Sequence, residues 1–319
     1  MKRPRSSDHD KDGGDQPSRE NAGDLGSQPA TEQETSMNRN ITSPSGYEGL
    51  TFLARFDRDL KLALATRIQA LWSHHSTAIE GNQLSLGDTM FVLSEGMTIS
   101  GKSVRDHTEV IGHAVAISQL YGMVGRDLTK ADACQLHKAV QSGSEANDYY
   151  HPLGEYKREP NAGNQIFLDD TAGTWDYPDD TKIPKLMESW FRLFSDARQS
   201  AAKSDEDAID AYARVHLGFT AIHPFSDGNG RTGRLVANLP VIATGRPPIL
   251  IPVSDRKHYI QLVCEYTRDR GPITVDQPLI KDSSRYYSMF TGFVADKWKD
   301  SLALVAEFTE MQAVRRRNR

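Results

Sequence analysis

From Phe52 onward, apolar residues recur three and four positions apart: Phe56, Leu60, Leu64, Ile68, Leu71 and Trp72. That spacing lines one face of an α-helix. The helix is expected to run to about Glu80, where Gly81-Asn82 supplies a C-terminal stop. Ser85 then precedes a second helical segment, Leu86 to Leu93, and the stretches 104–121 and 130–140 read as two more. Helix is expected again from Ile183 to Phe194, and once more where Ile209, Tyr212, Val215, Phe219 and Ile222 share a face. Between them, Gly154-Glu155-Tyr156-Lys157 and Gln165-Ile166-Phe167-Leu168 flank a centre of Pro, Asn and Gly residues, the pattern of a small irregular β-hairpin. There is no internal repeat and no strand–helix alternation. The expected fold is mostly α, a helical bundle with one small hairpin.

Composition sets the limits of that fold. Residues 1–46 are dominated by Ser, Asp, Glu, Gln, Asn, Gly and Pro, so they cannot bury enough surface to offset their ordering entropy and are expected to be disordered. The folded part is expected to divide into a main domain, 47–281, and a C-terminal helix with a basic end, 282–319. A net charge of −5 gives no general case for nucleic-acid binding. The basic clusters at the two ends read as solvated termini. Cys134 and Cys264 fall in helical segments, which argues against a disulfide framework and for a reducing compartment. With no apolar signal-peptide core and no membrane-length apolar run, the expected location is cytosol or nucleus.

The chemistry concentrates in His223-Pro224-Phe225-Ser226-Asp227-Gly228-Asn229-Gly230-Arg231-Thr232-Gly233-Arg234. This stretch joins two helical segments. Gly228 and Gly230 let the backbone approach a ligand closely. The free N–H groups at the start of the second helix favour an anion. Arg231 and Arg234 are three apart, so both can face phosphate oxygens. Asp227 is a hard oxygen ligand suited to Mg²⁺, and His223 can take a proton near neutral pH. The set reads as a polyphosphate cradle with a metal ligand and a base beside it. A Walker A loop fits worse, because no Lys is correctly placed and the preceding element is helical. The dinucleotide-binding fingerprint also needs a strand first. Zinc spacing of the HExxH kind is absent, and His74-His75 are adjacent, a poor metal pair.

Position by position, this stretch resembles the HxFx(D/E)GNGRxxR signature of Fic domains. The resemblance extends over about residues 47–281, with His216 in the helix before the motif and the expected hairpin in the place of the family's flap. It implies a protein adenylyltransferase that moves AMP from ATP onto a Tyr, Thr or Ser hydroxyl. His223 would deprotonate the target, and Asp227 would hold Mg²⁺ against the α- and β-phosphates. Gly228, Asn229 and Gly230 would form the anion hole, with Asn229 donating from its amide. Arg231 would contact the outer phosphates, Arg234 the γ-phosphate, and Phe225 would anchor the loop in the core. Relatives that phosphorylate depart at the second glycine, and Gly230 is intact here. Tyr259 falls where relatives approach adenine, although an ordinary half-buried tyrosine is the plainer reading. Pro240 departs from the family pattern and is expected to kink the helix after the motif.

A second signal is Ser76-Thr77-Ala78-Ile79-Glu80-Gly81-Asn82. A carboxylate at a helix C-terminus opposes the dipole, so Glu80 is misplaced on local grounds. The pattern resembles the inhibitory (S/T)xxxE(G/N) motif of Fic proteins. It implies that Glu80 pairs with Arg234, denying it to the γ-phosphate, with Ser76 as a brace. In some family members the same glutamate aligns a water that removes AMP, and the sequence leaves both directions open. The flap, including Gly154, Glu155, Tyr156 and Lys157, would dock a protein substrate by β-augmentation. A homodimer is consistent with the family. The alternatives are transfer of another nucleotide, or a non-catalytic ATP-binding regulatory module.

Overall fold

The computed structural model describes residues 44–143 and 148–318. The segment expected to be disordered lies outside the described residues except for its last three. Of those, Pro44 is buried and the Ser45 N–H lies 3.3 Å from Ser118 Oγ. Helix α1 (Arg58–Ile79) leads to α2 (Leu86–Glu95), α3 (Val104–Tyr121) and α4 (Lys130–Val140). Strands β1 (Ala162–Ile166) and β2 (Ala172–Asp176) pair antiparallel, with Gly163 opposite Trp175 and Gln165 opposite Gly173. Then follow α5 (Ile183–Ser200), α6 (Asp205–Ile222), α7 (Asn229–Val236), α8 (Asn238–Ala243), α9 (Arg256–Arg270) and α10 (Arg285–Arg317).

Local chemistry explains most boundaries. Ser85 and Asp88 form a reciprocal capping box at the start of α2, and Gly96 ends that helix in a left-handed conformation. Thr129 and Asp132 repeat the box on α4, where Arg126 grips Asp132 at 2.7 Å. The expectation that α1 begins at Phe52 is corrected. Phe52 lies in a 3₁₀ turn (Thr51–Leu53), and the α-helix starts six residues later. Phe52 and Phe56 are buried, so the spacing reported a buried face correctly. Tertiary contacts hold that segment: Phe56 meets Phe308 of α10 edge-on, and the Asp57 N–H donates to Gln312 Oε1 at 2.7 Å.

Helix α6 is the axis of the core, touching α5, α7, α8 and α10. Trp190 of α5 is fully buried against Phe219 and donates its indole N–H to Val215 O at 3.0 Å. Removing so large a side chain from such a site costs about 3–5 kcal/mol. Helix α10 crosses α6 and α9 and reaches α1, stacking Phe290 on His216 at 5.6 Å. At Pro240 the effect exceeds the expected kink. Proline has no N–H to offer Val236, and the helix stops at Ala237 before resuming as α8. Asn238 secures the break, accepting from Ile249 N and donating to Ile249 O.

Several histidines are held neutral by full or partial burial. Burial, and then the charge of Arg234, pushes His216 down to about 3, and burial followed by His74 takes His75 to about 4. Burial also holds His113 well below its ordinary value. The unfolded chain takes up these protons below about pH 6.5 and the folded one does not, so stability rises with pH across this window. Each such group contributes a slope of up to about 1.4 kcal/mol per pH unit. Thermal melts are expected to give a lower midpoint at pH 5 than at pH 7, with a shallower dependence in His75→Gln.

Candidate active site

The loop after α6 is built by one unusual backbone and one clamp. His223 closes α6 in the left-handed region (φ 54), its N–H donating to Phe219 O at 3.0 Å. Few residues other than glycine adopt this conformation, and histidine is among the more tolerant. Pro224 then prevents the helix from continuing. Phe225 plunges into the core, stacked on His137 at 3.8 Å with the rings 4° from parallel. Asn229 clamps the loop on both sides of Phe225: Oδ1 accepts from its N–H at 2.9 Å and Nδ2 donates to its carbonyl at 2.8 Å. One N–H of the Asn229 amide and its oxygen are thereby engaged inside the loop.

Gly228 (φ 74) opens α7, and a Cβ there would come within 3.0 Å of Gln141. The Thr232 N–H makes the first bond of the helix, to Gly228 O. Helix geometry therefore leaves the amides of Asn229, Gly230 and Arg231 at the open end. A Cβ on Gly230 would lie 2.5 Å from Glu80 Oε1, so a side chain there would have to push that carboxylate aside.

The two arginines of the motif are both 3% exposed and differently held. Arg231 donates from Nη2 to Gln141 Oε1 at 3.0 Å and lies 3.5 Å from Glu109 through Nη1. Its Nε and Nη1 have no hydrogen-bond partner. Arg234 donates from Nε to Ser76 Oγ (3.1 Å), and from Nη2 to Ser76 O (2.8 Å) and Glu80 Oε1 (2.7 Å). Behind it, Nη1 lies 3.3 Å from the Tyr259 hydroxyl, which sits 2.8 Å from His216 Nε2. Tyr259 is thus a buried prop for Arg234 and offers no face to adenine. Glu80 stands at the C-terminal end of α1, where it opposes the dipole, and Arg234 brings the compensating charge to that end.

Asp227 projects outward, its side chain 67% exposed, with Oδ1 accepting from the Gly228 N–H and Oδ2 3.6 Å from Arg231. Burial raises its carboxyl, but a hydrogen bond with Gln141, the charge of Arg231 and the Gly228 amide together hold it below the usual range. The imidazole of His223 stacks on Tyr177 at 3.7 Å. Burial, followed by the charge of Lys157, pushes it down to about 3, so the ring is neutral near pH 7.

The hairpin lies later in the chain than expected. Residues Gly154, Glu155, Tyr156 and Lys157 form no strand. Gly154 (φ 75) packs on α4, and Glu155 pairs with Arg158. Tyr156 lies against Phe225, and Lys157 is 3% exposed with its N–H on Pro224 O at 2.9 Å. Tyr156 and Lys157 thus support the motif from below, while Gly154 packs on α4 and Glu155 is exposed.

Sequence reasoning missed Gln141, Glu109, His137 and Tyr177. His137 accepts the Gly154 N–H on Nδ1, so its Nε2 donates to Asp227 O at 3.0 Å and ties α4 to the loop. Its place in the last turn of a helix with a buried face was the one available signal.

Residues 127–241 match the Fic/DOC family. The chain is 32% identical over 193 residues to the protein adenylyltransferase fic-1 of Caenorhabditis briggsae, covering 59% of this chain and 35% of that protein. It is 30% identical over 190 residues to protein adenylyltransferase Fic of Drosophila melanogaster, covering 58% and 35%. The chain thus spans about a third of the length of these curated relatives. Among solved structures, a Fic-domain-containing signaling protein of Bacteroides thetaiotaomicron aligns with a TM-score of 0.69 at 22% identity, over 84% of this chain and 98% of that one. Fic-1 of Caenorhabditis elegans aligns with a TM-score of 0.60 at 22% identity, over 86% and 74%. With its signature folded as a clamped loop at the head of α7, the chain carries a Fic/DOC-family domain over residues 127–241.

Proposed function

We propose that the protein transfers AMP from ATP to a hydroxyl of a protein target and restrains itself through Glu80. The observation that carries this reading is the open N-terminus of α7. Three backbone amides, the partly unpaired Arg231 and the exposed Asp227 meet there beside His223. A helix N-terminus with buried arginines suits a polyphosphate. The names of the curated relatives support the same activity.

Mg²⁺ fits these residues. Asp227 is an exposed hard-oxygen ligand, and Arg231, ion-paired with Glu109 and Asp227 but without a hydrogen bond at Nε and Nη1, has donors left for phosphate. Among the described residues no group of three or more ligating side chains gathers, which suits an ion that takes most of its ligands from phosphate and water. When bound, the ion would neutralise phosphate charge. The chain's own residues would do the rest. The amides at the head of α7 and Arg231 would orient the phosphates. His223 would take the proton of the target hydroxyl. The hydroxyl oxygen would bond to the α-phosphorus while the bond to the bridging oxygen breaks, and pyrophosphate would leave with both bond electrons.

The target would lie along the hairpin. β1 touches α9, whereas β2 pairs with β1 alone among the described residues, so its outer edge is free to accept a strand. The pairing of Glu80 with Arg234 would keep that arginine from a γ-phosphate. The same carboxylate, 37% exposed, could also hold a water for the reverse reaction.

With α-labelled ATP and Mg²⁺, the native protein is expected to label itself or lysate proteins weakly. Glu80→Gly is expected to label at least about tenfold more, and Glu80→Gly with His223→Ala to lose about 10²–10⁴-fold. Silence of Glu80→Gly with ATP bound would overturn AMP transfer and direct the assay to labelled UTP and CTP. Asp227→Asn in the Glu80→Gly background is expected to need a higher Mg²⁺ concentration for half-maximal rate, read by Mg²⁺ titration. Arg231→Ala is expected to weaken ATP binding about tenfold or more by calorimetry, since it removes a buried charged donor.

A further inference from the structure

We infer that Tyr177 is a positioning residue for His223, holding the imidazole at the angle from which it takes the target's proton; this rests on the proposed transfer reaction. Among the described residues the His223 ring makes one hydrogen bond and one ring stack. Its polar tie, Nδ1 to Thr220 O, is 3.4 Å long, near the limit of a hydrogen bond. Against this, Tyr177 covers one face at 3.7 Å with the planes 12° apart. A stack of that kind fixes the ring plane while leaving the nitrogen-bearing edges open.

The position of Tyr177 is itself determined. Its N–H donates to Asn161 O at 3.1 Å, closing the base of the hairpin just after β2. It also packs on Gly163 of β1, where a Cβ would come within 3.0 Å of ring carbon Cε2 and of the hydroxyl. The phenol is therefore held between a bare backbone and the imidazole. The same hairpin base grips the two residues that follow His223. Lys157 N–H donates to Pro224 O, and Asn161 Nδ2 lies 3.3 Å from Phe225 O. Lys157 Nζ donates to Asn161 Oδ1 and sits 5.9 Å from the Tyr177 ring centre. The hairpin that would receive the target is thus continuous with the housing of the base. Among the described residues no hydrogen bond or ring contact joins Tyr177 to the phosphate loop from Asp227 to Arg234, so its effect is expected in the proton transfer and not in nucleotide binding.

The test is single-turnover transfer in the Glu80→Gly protein, with ATP affinity and melting temperature measured alongside. Tyr177→Ala is expected to lower the rate about 10–100-fold, with ATP affinity unchanged within about twofold and His223 still required for what remains. Tyr177→Phe, which keeps the stack, is expected to stay within about threefold of the parent. Gly163→Ala, which crowds the ring without removing it, is expected to fall between them. An unchanged rate in Tyr177→Ala, a parallel loss of ATP affinity, or a Phe variant as slow as Ala would each overturn the assignment. If the Glu80→Gly parent transfers nothing, the proposed reaction fails. The His223 Hε1 resonance then decides the positioning: an upfield ring-current shift lost in Tyr177→Ala and kept in Tyr177→Phe supports it, and an identical shift in all three overturns it.

Discussion

Arg234 is the charge around which the site is arranged. A guanidinium that is 3% exposed cannot stand without partners, because an unpaired buried cation costs several kcal/mol. Its partners come from three elements: Ser76 and Glu80 of α1, Tyr259 of α9, and through Tyr259 the His216 ring of α6. The residue that is proposed to face phosphate is therefore also the pin joining α1 to α6 and α9. Burial, and then the charge of Arg234, depresses the proton affinity of His216, which is therefore neutral beside it. The local misfit of Glu80 at a helix end is resolved by the same charge.

The loop from His223 to Gly228 is rigid for a different reason. Phe225 is gripped by Asn229 above and by His137, Tyr156 and Phe219 around it. His137 then reaches past Phe225 to Asp227 O. The backbone that presents Asp227 and the amides of α7 is thus fixed from the core outward. This is the kind of preorganisation that lets dipoles act on a developing charge without rearranging. The conformation of His223 at the end of α6 sets the direction in which the loop leaves the helix.

The sequence made the helices, the motif and the Glu80–Arg234 pairing legible, the last through family resemblance. Helices with a continuous apolar stripe and a polar cap, such as α2 and α6, were found because both signals are local. The region from Phe52 to Asp57 was read as helix because burial has the same spacing whether or not the backbone is helical. There the decisive contacts come from α10, more than 250 residues away. Residues 154–157 misled for a similar reason. Tyr156 packs against Phe225 and the Lys157 N–H is held by Pro224 O, partners that no short window contains. Asn229 carries a strong motif position, but its clamp on Phe225 within the loop is something only geometry reveals. Gln141, Glu109 and Tyr177 had no local signal, since each acts across the fold.

One absent methyl group has a consequence for how such a site can change over generations. At Gly230 the missing side chain leaves room at once for Glu80 to approach and for the backbone to face an anion. A larger residue there would push aside the Glu80 carboxylate, the movable end of a flexible side chain. A substitution at Gly230 would therefore act first on the Glu80–Arg234 ion pair. The tie between the end of α1 and α7 is thus open to variation from two sides, at Glu80 itself and at a glycine far along the chain.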